Sequence, residues 1–181
     1  MQTYIALFRG INVGGRNSIK MADLRSLLED LGLKDVRSYI QSGNVVFRSE
    51  ETAARILSEK IRNAIGENYE LTPDVMIIRD AEFEKVLAEN PFPEAESDAS
   101  KLHIGFLEAE PEEPNLDGLQ ELKKDTEQYE LKSQAFYLYA PDGIGRSKLY
   151  AKAEKLIGVS MTSRNWRTVK KIQEMARKLT P

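Results

Sequence analysis

The sequence predicts an α+β protein built from two similar halves, each an antiparallel sheet with helices, and a final C-terminal helix. Strand-like and helix-like apolar patterns follow the order β-α-β-β-α-β over residues 4–78. The order β-α-β-β-α then recurs over residues 102–156. Gly, Asn, Ser and Pro stand between these patterns, as turn residues do. This order is that of the split βαβ unit, so the predicted fold is a tandem of two ferredoxin-like (βαββαβ-type) subdomains.

Apolar periodicity and turn residues define the elements of the first half. A short apolar run predicts a strand, and apolar residues three and four positions apart predict a helix. Asn17 and Ser18 are candidate N-caps of the first helix, and Gly32 ends it. Ser42-Gly43 predicts a hairpin turn. The predicted bounds are a strand over residues 4–8, a helix with apolar positions from 21 to 31, strands over residues 36–40 and 44–47, a helix over residues 51–65 that Gly66 ends, and a strand over residues 75–78.

The second half follows the same order up to its last strand. Residues 91–100 are polar and contain proline, so they are the predicted linker between domains at residues 1–90 and 91–181. A final helix stands where a fourth strand is expected, and the duplication rests on element order only. The predicted bounds are a helix over residues 80–89, a strand over residues 102–107, a helix through Leu116, Leu119 and Leu122, strands over residues 129–131 and 135–139, and helices over residues 147–156 and 163–179.

Composition excludes several classes of site. The 181 residues include no cysteine, which excludes disulfides, thiolate nucleophiles and cysteine-based metal sites. There is no basic leader followed by an apolar run, and no stretch of roughly 18 apolar residues that could span a bilayer. The expectations are therefore a cytoplasmic protein, no membrane association and no cofactor. The net charge is −3, with acidic residues concentrated in 108–130 and basic residues in 164–178.

Four segments resemble a known bacterial family. They are residues 7–15 (L-F-R-G-I-N-V-G-G), 39–47 (Y-I-Q-S-G-N-V-V-F), 90–93 (N-P-F-P) and 162–169 (T-S-R-N-W-R-T-V). Together they are similar to the family called domain of unknown function 1697, from the first strand to the last helix. The resemblance implies two tandem ferredoxin-like subdomains, and it implies no activity. The family pattern has Thr and Asn where this chain has Ser163, which keeps a capping hydroxyl, and Arg167, which adds a charge.

Residues 9–20 are the predicted ligand-binding loop. Three glycines allow positive φ and close approach of the backbone, three basic side chains add positive charge, and a helix N-terminus follows. The spacing matches neither the Walker loop nor G-x-G-x-x-G. The pattern predicts a site for a small anionic or phosphorylated ligand, or else only a tight crossover turn. The candidate ligand-binding residues are Arg9, Asn12, Gly14, Gly15 and Arg16, with Arg164 and Asn165 closing the site.

The polar turn at residues 41–44 has two interpretations. Gly43 and Asn44 supply turn dihedrals in one, and Gln41, Ser42 and Asn44 hydrogen-bond a ligand in the other. In a β-α-β-β-α-β unit we expect this turn and the loop after the first strand to lie at opposite ends of neighbouring strands. A single compact site made from both segments of one copy is therefore not expected.

Other notable residues have ordinary structural interpretations. Trp166 is predicted to anchor a core or domain contact, with Thr162 or Ser163 capping the last helix. Tyr137 is predicted to pack in the core rather than stack on RNA bases. His103 is the one histidine, so no transition-metal site is predicted and a Ser-His-Asp triad would depend on it. Binding of Mg²⁺ by Asp and Glu stays open.

The sequence leaves several functions open beside anion binding. One is a nucleic-acid-binding module that uses the basic last helix, which the overall acidity disfavours. Another is a metal-independent enzyme, although no acid–base pair or activated nucleophile identifies a reaction or decides whether the protein is an enzyme. The last is a structural or assembly protein in which an exposed sheet edge or face forms a homodimer.

Overall fold

The computed structural model of the chain describes residues 1–14 and 18–179. The described residues form mixed α and β structure, with two short 3₁₀ helices at Pro93–Asp98 and Ile144–Arg146. The other elements are β1 (Gln2–Arg9), α1 (Met21–Asp30), β2 (Lys34–Tyr39), β3 (Asn44–Ser49), α2 (Ala54–Tyr69), β4 (Asp74–Arg79), α3 (Asp80–Ala88), β5 (Leu102–Leu107), α4 (Leu116–Leu122), β6 (Gln128–Leu131), β7 (Ala135–Tyr139), α5 (Lys148–Ile157), β8 (Met161–Asn165) and α6 (Trp166–Arg177).

The chain divides into two compact units. The first comprises residues 1–85 with the segment from residue 171 onward, and the second comprises residues 86–170. Each holds one four-stranded antiparallel sheet with helices, which confirms the predicted tandem of two ferredoxin-like subdomains. The domain boundary after residue 90 stays a prediction. Within the described residues, no helix combines the length and apolar character needed to cross a membrane.

The first sheet has the strand order β2-β3-β1-β4. β1 is central because its residues are apolar on both faces, and side chains alternate between the faces of a strand. Its Tyr4, Ala6 and Phe8 belong to the main core of this unit. The helices α1 and α2 contribute the aliphatic side of that core, which consists of Leu24, Leu28, Leu57, Ile61 and Ile65. On the opposite face of β1, Ile5 and Leu7 are also buried.

The second sheet has the equivalent order β6-β7-β5-β8. Phe136 and Leu138 of β7 pack with Leu149, Ala153 and Ile157 of α5 to form its core. The fourth strand, β8, corrects the prediction of a helix over residues 163–179. Residues 161–165 pair antiparallel with β5, so the helix cannot begin before Trp166. With this strand the two halves share one order, β-α-β-β-α-β followed by a helix.

Two helix ends also differ from the sequence-based expectation. α2 continues through Gly66 to Tyr69 and ends at Glu70, which adopts a left-handed conformation with φ 54°. One glycine costs only about 1 kcal/mol inside a helix that tertiary packing stabilises. α1 begins at Met21 with Lys20 as its N-cap residue and no side-chain cap. The prediction that Ser18 caps this helix was therefore wrong. Asn17, the other predicted cap, lies outside the described residues.

Candidate functional site

The β1–α1 loop and the β2–β3 turn lie together at one end of the first sheet. The backbone N–H of Phe8 donates to the carbonyl of Gly43 at 2.8 Å, and Leu7 pairs with Asn44 in the ladder. The expectation that these segments lie at opposite ends was wrong. β1 and β3 are antiparallel neighbours, so the carboxyl end of β1 meets the amino end of β3, where the turn enters. We call residues 9–14 and 40–44 together the tip.

Asn12 is the central residue of the tip. Its Nδ2 donates to the carbonyls of Ile19 at 3.0 Å and Gln41 at 2.9 Å. Its Oδ1 accepts from the backbone N–H of Ile19 at 2.8 Å. One side-chain amide thus closes the loop on itself and ties it to the turn. Asn12 also has φ 54°, a conformation that asparagine adopts more readily than most residues.

Gly43 occupies a position where no side chain fits. Its φ is 74°, and a Cβ built there would lie 2.6 Å from Cβ of Phe8 and 2.7 Å from Cδ1 of Ile11. This close approach brings the turn against the end of β1. The predicted turn role of Gly43 agrees with this geometry, whereas Asn44 is buried and donates from Nδ2 to the carbonyl of Tyr39.

Two large apolar side chains are exposed at the tip. Val13 is 65% exposed and Ile40 is 50% exposed. Ile40 has φ 51°, which is unusual because a β-branched side chain is crowded in the left-handed region. Neither residue was singled out from the sequence, and no local pattern there indicates an exposed isoleucine with positive φ.

The other candidate residues of the loop are either exposed or outside the described residues. Arg9 and Gly14 are exposed, and Arg9 lies opposite Asp74 in the β1–β4 ladder. Lys20 is exposed and follows Ile19, which Asn12 binds. Gly15 and Arg16 lie outside the described residues.

A cleft of about 280 Å³ adjoins the loop, with an unsuitable charge for an anion. Gly10 and Ile11 form one side of it, and residues 70–73 form the other. Glu70 supplies the charged side chain among the described residues that line it. A carboxylate repels an anion, so the charge of this cleft disfavours an anionic ligand.

Arg164 and Asn165 lie in β8 of the second unit, not at the start of the last helix as predicted. Nη1 of Arg164 donates to the carbonyl of Ser163 at 2.8 Å, and burial lowers the pKa of Arg164 to about 10. Oδ1 of Asn165 accepts from the N–H of Thr168 at 2.9 Å. Asn165 therefore caps α6, in place of the predicted Thr162 or Ser163. That the two residues close a site with the tip stays a prediction.

The outer edges of both sheets are partly blocked by side chains. Phe8 and Leu107 hydrogen-bond their inner neighbours, so the residues opposite them, Val75 of β4 and Met161 of β8, direct their backbone groups outward. The hydroxyl of Ser58 donates to the carbonyl of Val75 at 2.5 Å. Oε1 of Glu154 accepts from the N–H of Met161 at 3.3 Å. These two backbone groups already have a partner within the chain, whereas the edges at β2 and β6 and the sheet faces are not affected, so the homodimer stays a prediction.

The basic last helix offers less free charge than its sequence indicates. Lys171 pairs with Glu174 at 2.9 Å, and the guanidinium of Arg177 binds the carboxylate of Glu84. Trp166 is buried, as predicted. Tyr137 is fully buried, as predicted, and its hydroxyl donates to the carbonyl of Val86 at 2.8 Å, so it cannot stack on a base.

His103 is buried on the face of β5 that looks toward α5. Its ring lies 6.1 Å from the ring of Tyr150, and its Nε2 has no hydrogen-bond partner among the described residues. Burial lowers the pKa of His103 to about 4. Among all the residues that the structure describes, no cluster of three or more His, Asp or Glu side chains is arranged to hold a metal ion.

Comparisons with known proteins agree with this architecture. Over 97% of its length the chain is similar to a solved structure, the conserved bacterial protein SP0830 from Streptococcus pneumoniae. The match covers 98% of that protein, with 27% sequence identity and a TM-score of 0.74. No functionally curated protein matches the sequence. The family model described as protein of unknown function (DUF1697) matches residues 1–137. The chain belongs to this family.

Proposed function

We propose that this protein binds a small anionic or phosphorylated ligand at the tip of its first unit. The observation that carries the proposal is the bond from Asn12 to the carbonyl of Gln41, which joins the Gly/Arg loop to the polar turn. The two segments contain the exposed residues Arg9, Gln41 and Ser42, and Lys20, which follows Ile19 just beyond the tip, adds a second exposed cation. The side-chain amide of Asn12 binds the backbone of Ile19, so in this proposal Asn12 positions the loop.

Three features support an anion over the alternatives. Gly10 and Gly14 both have positive φ, a conformation that lets the backbone approach a ligand closely beside the exposed basic side chains. The basic helix that would serve a nucleic-acid module has two of its cations paired with carboxylates. The described residues of the tip include no catalytic pair, so they do not favour an enzyme over a binding protein.

Titration calorimetry with inorganic pyrophosphate at low ionic strength tests the proposal. Arg9→Ala and Lys20→Ala are expected to weaken binding by about tenfold each, since hydrogen bonds to charged groups contribute roughly 1.5–3 kcal/mol. The affinity should fall as salt is added. Arg55→Ala and Lys60→Ala are matched controls, because both residues are exposed on α2 of the same unit and lie outside the tip. Absence of heat from the wild type, or equal affinities in all four variants, would contradict the proposal.

A further inference from the structure

We infer that the ligand of the tip carries an apolar ring beside its negative charge, as an aryl phosphate does. This inference rests on the proposed function and specifies its ligand class. It comes from the two exposed apolar side chains, Val13 and Ile40, which the proposal for a simple anion does not use.

The amide of Asn12 joins the backbone segments that carry three exposed residues. Val13 follows Asn12 directly, Lys20 follows Ile19, and Ile40 precedes Gln41. Asn12 hydrogen-bonds both Ile19 and Gln41 within 3.0 Å. Two exposed apolar residues and one exposed lysine are therefore chain neighbours of the residues that form this hydrogen-bonded junction. A ligand with an apolar ring and an anionic group matches both chemistries.

The conformation of Ile40 supports a binding role for its side chain. A β-branched residue in the left-handed region costs about 1–2 kcal/mol relative to residues that favour it. That cost is not recovered by burial, because Ile40 is 50% exposed. The surrounding bonds hold the conformation, since Nδ2 of Asn44 binds the carbonyl of Tyr39 on one side and Asn12 binds that of Gln41 on the other. The strain and the exposure together present the isoleucine side chain outward.

The other exposed apolar side chains have no such setting. Met1 and Ile56 line a shallow cleft with Lys34 and Lys60, but Glu50 and Glu51 line it too, and their carboxylates repel an anion; Leu116 begins α4. None of these residues adopts a positive φ. Ile56 is 46% exposed, close to the value for Ile40, and lies on α2. It is therefore the matched control for substitutions at the tip.

The experiment compares phenyl phosphate with inorganic phosphate by titration calorimetry on the full chain. Wild-type protein is expected to bind phenyl phosphate about tenfold more tightly, because contact with the ring removes apolar surface from water. Val13→Ser and Ile40→Asn should reduce that ratio to about one with little change for inorganic phosphate, whereas Ile56→Ser should leave it at about tenfold. Ile40→Asn should at the same time raise the urea midpoint, since asparagine favours this conformation.

Each outcome decides between the two proposals. A ratio near one in the wild type, with phosphate still binding through Arg9 and Lys20, overturns the apolar-ring inference and leaves the anion site. A ratio of about ten that Val13→Ser and Ile40→Asn do not change also overturns it. Absence of binding by either phosphate overturns both. The inference is supported if Ile40→Asn abolishes the preference for phenyl phosphate over inorganic phosphate and also raises the urea midpoint. A merely structural isoleucine would not couple the change in preference to the gain in stability.

Discussion

The Nδ2 of Asn12 lies 2.9 Å from the carbonyl oxygen of Gln41, 29 positions later in the chain. The same nitrogen reaches the carbonyl of Ile19, and the amide oxygen accepts from the N–H of Ile19. A single polar side chain thus satisfies three backbone groups in two segments. The backbone groups of Ile19 are part-buried and need partners, while the exposed bond to Gln41 adds the link between the loop and the turn.

Replacing Asn12 by alanine should destabilise the first unit by about 3 kcal/mol. The substitution removes three hydrogen bonds and places a residue that disfavours φ 54° at that position. Urea denaturation monitored by circular dichroism measures the free energy of unfolding. Asn63→Ala is the control, because Asn63 is exposed on α2, and it should change stability by less than about 0.5 kcal/mol. Equal effects of the two substitutions would show that the Asn12 bonds contribute little.

Gly43→Ala should cost about 3 kcal/mol or more, since it combines a disfavoured φ with overpacking. The new Cβ would lie 2.6 Å from Cβ of Phe8, a distance that requires the backbone to move. Gly32→Ala separates the two causes, because Gly32 has φ 87° with nothing within 4 Å of a Cβ. It should cost only about 1–2 kcal/mol. Thermal or urea unfolding of both variants gives the comparison, and a smaller loss for Gly43→Ala than for Gly32→Ala contradicts the packing argument.

Element order was readable from the sequence because it depends on local periodicity, but the location of the tip was not read correctly. The antiparallel pairing of β1 with β3 follows from the β-α-β-β-α-β order itself, so the meeting of the two segments could have been derived from it. The role of Asn12 could not, because its partners Ile19 and Gln41 carry no sequence signal for side-chain recognition.

The last strand and its helix show a different limit of sequence analysis. Residues 161–165, M-T-S-R-N, are mostly polar and short, and they form β8 only because β5 offers a free edge. Their half-buried pattern gives no clear alternation. The predicted helix therefore began too early, and the capping role of Asn165 was missed. Tertiary pairing overrides local propensity in such segments.

Asn165→Ala should destabilise the second unit by about 1 kcal/mol, the usual cost of losing an N-cap. The lost bond is that from the N–H of Thr168 to Oδ1 of Asn165 at 2.9 Å. Ser163→Ala, the substitution at the cap predicted from the sequence, should have an effect below about 0.5 kcal/mol. Chemical denaturation of the two variants and the wild type makes the comparison. A larger loss for Ser163→Ala would return the cap to the position first predicted.

Stability should fall as the pH falls from about 6.5 to about 4, because His103 is buried in its neutral form. Burial is the main cause of its lowered pKa of about 4, while a backbone hydrogen bond at Ser100 opposes the shift and the charge of Lys101 adds to it. In the unfolded chain the imidazole has a pKa of 6.5 and binds a proton throughout this window. The unfolded state then holds more protons than the folded state, so the free energy of unfolding rises with pH there. Above pH 6.5 the free energy of unfolding carries no such loss, and between pH 6.5 and pH 4 the loss grows to about 3 kcal/mol.

His103→Leu isolates the effect of the imidazole on stability, since the chain has only one histidine. Urea denaturation at intervals between pH 4 and pH 7 gives the free energy of unfolding of both proteins. As the pH falls, the free energy of unfolding of the wild type should decrease by about 3 kcal/mol more than that of the variant, because leucine has no proton to bind. The shared carboxylates cancel in that difference. Parallel pH profiles for the two proteins would mean that His103 gains its proton in the folded state, and that its unpaired Nε2 is accessible to water.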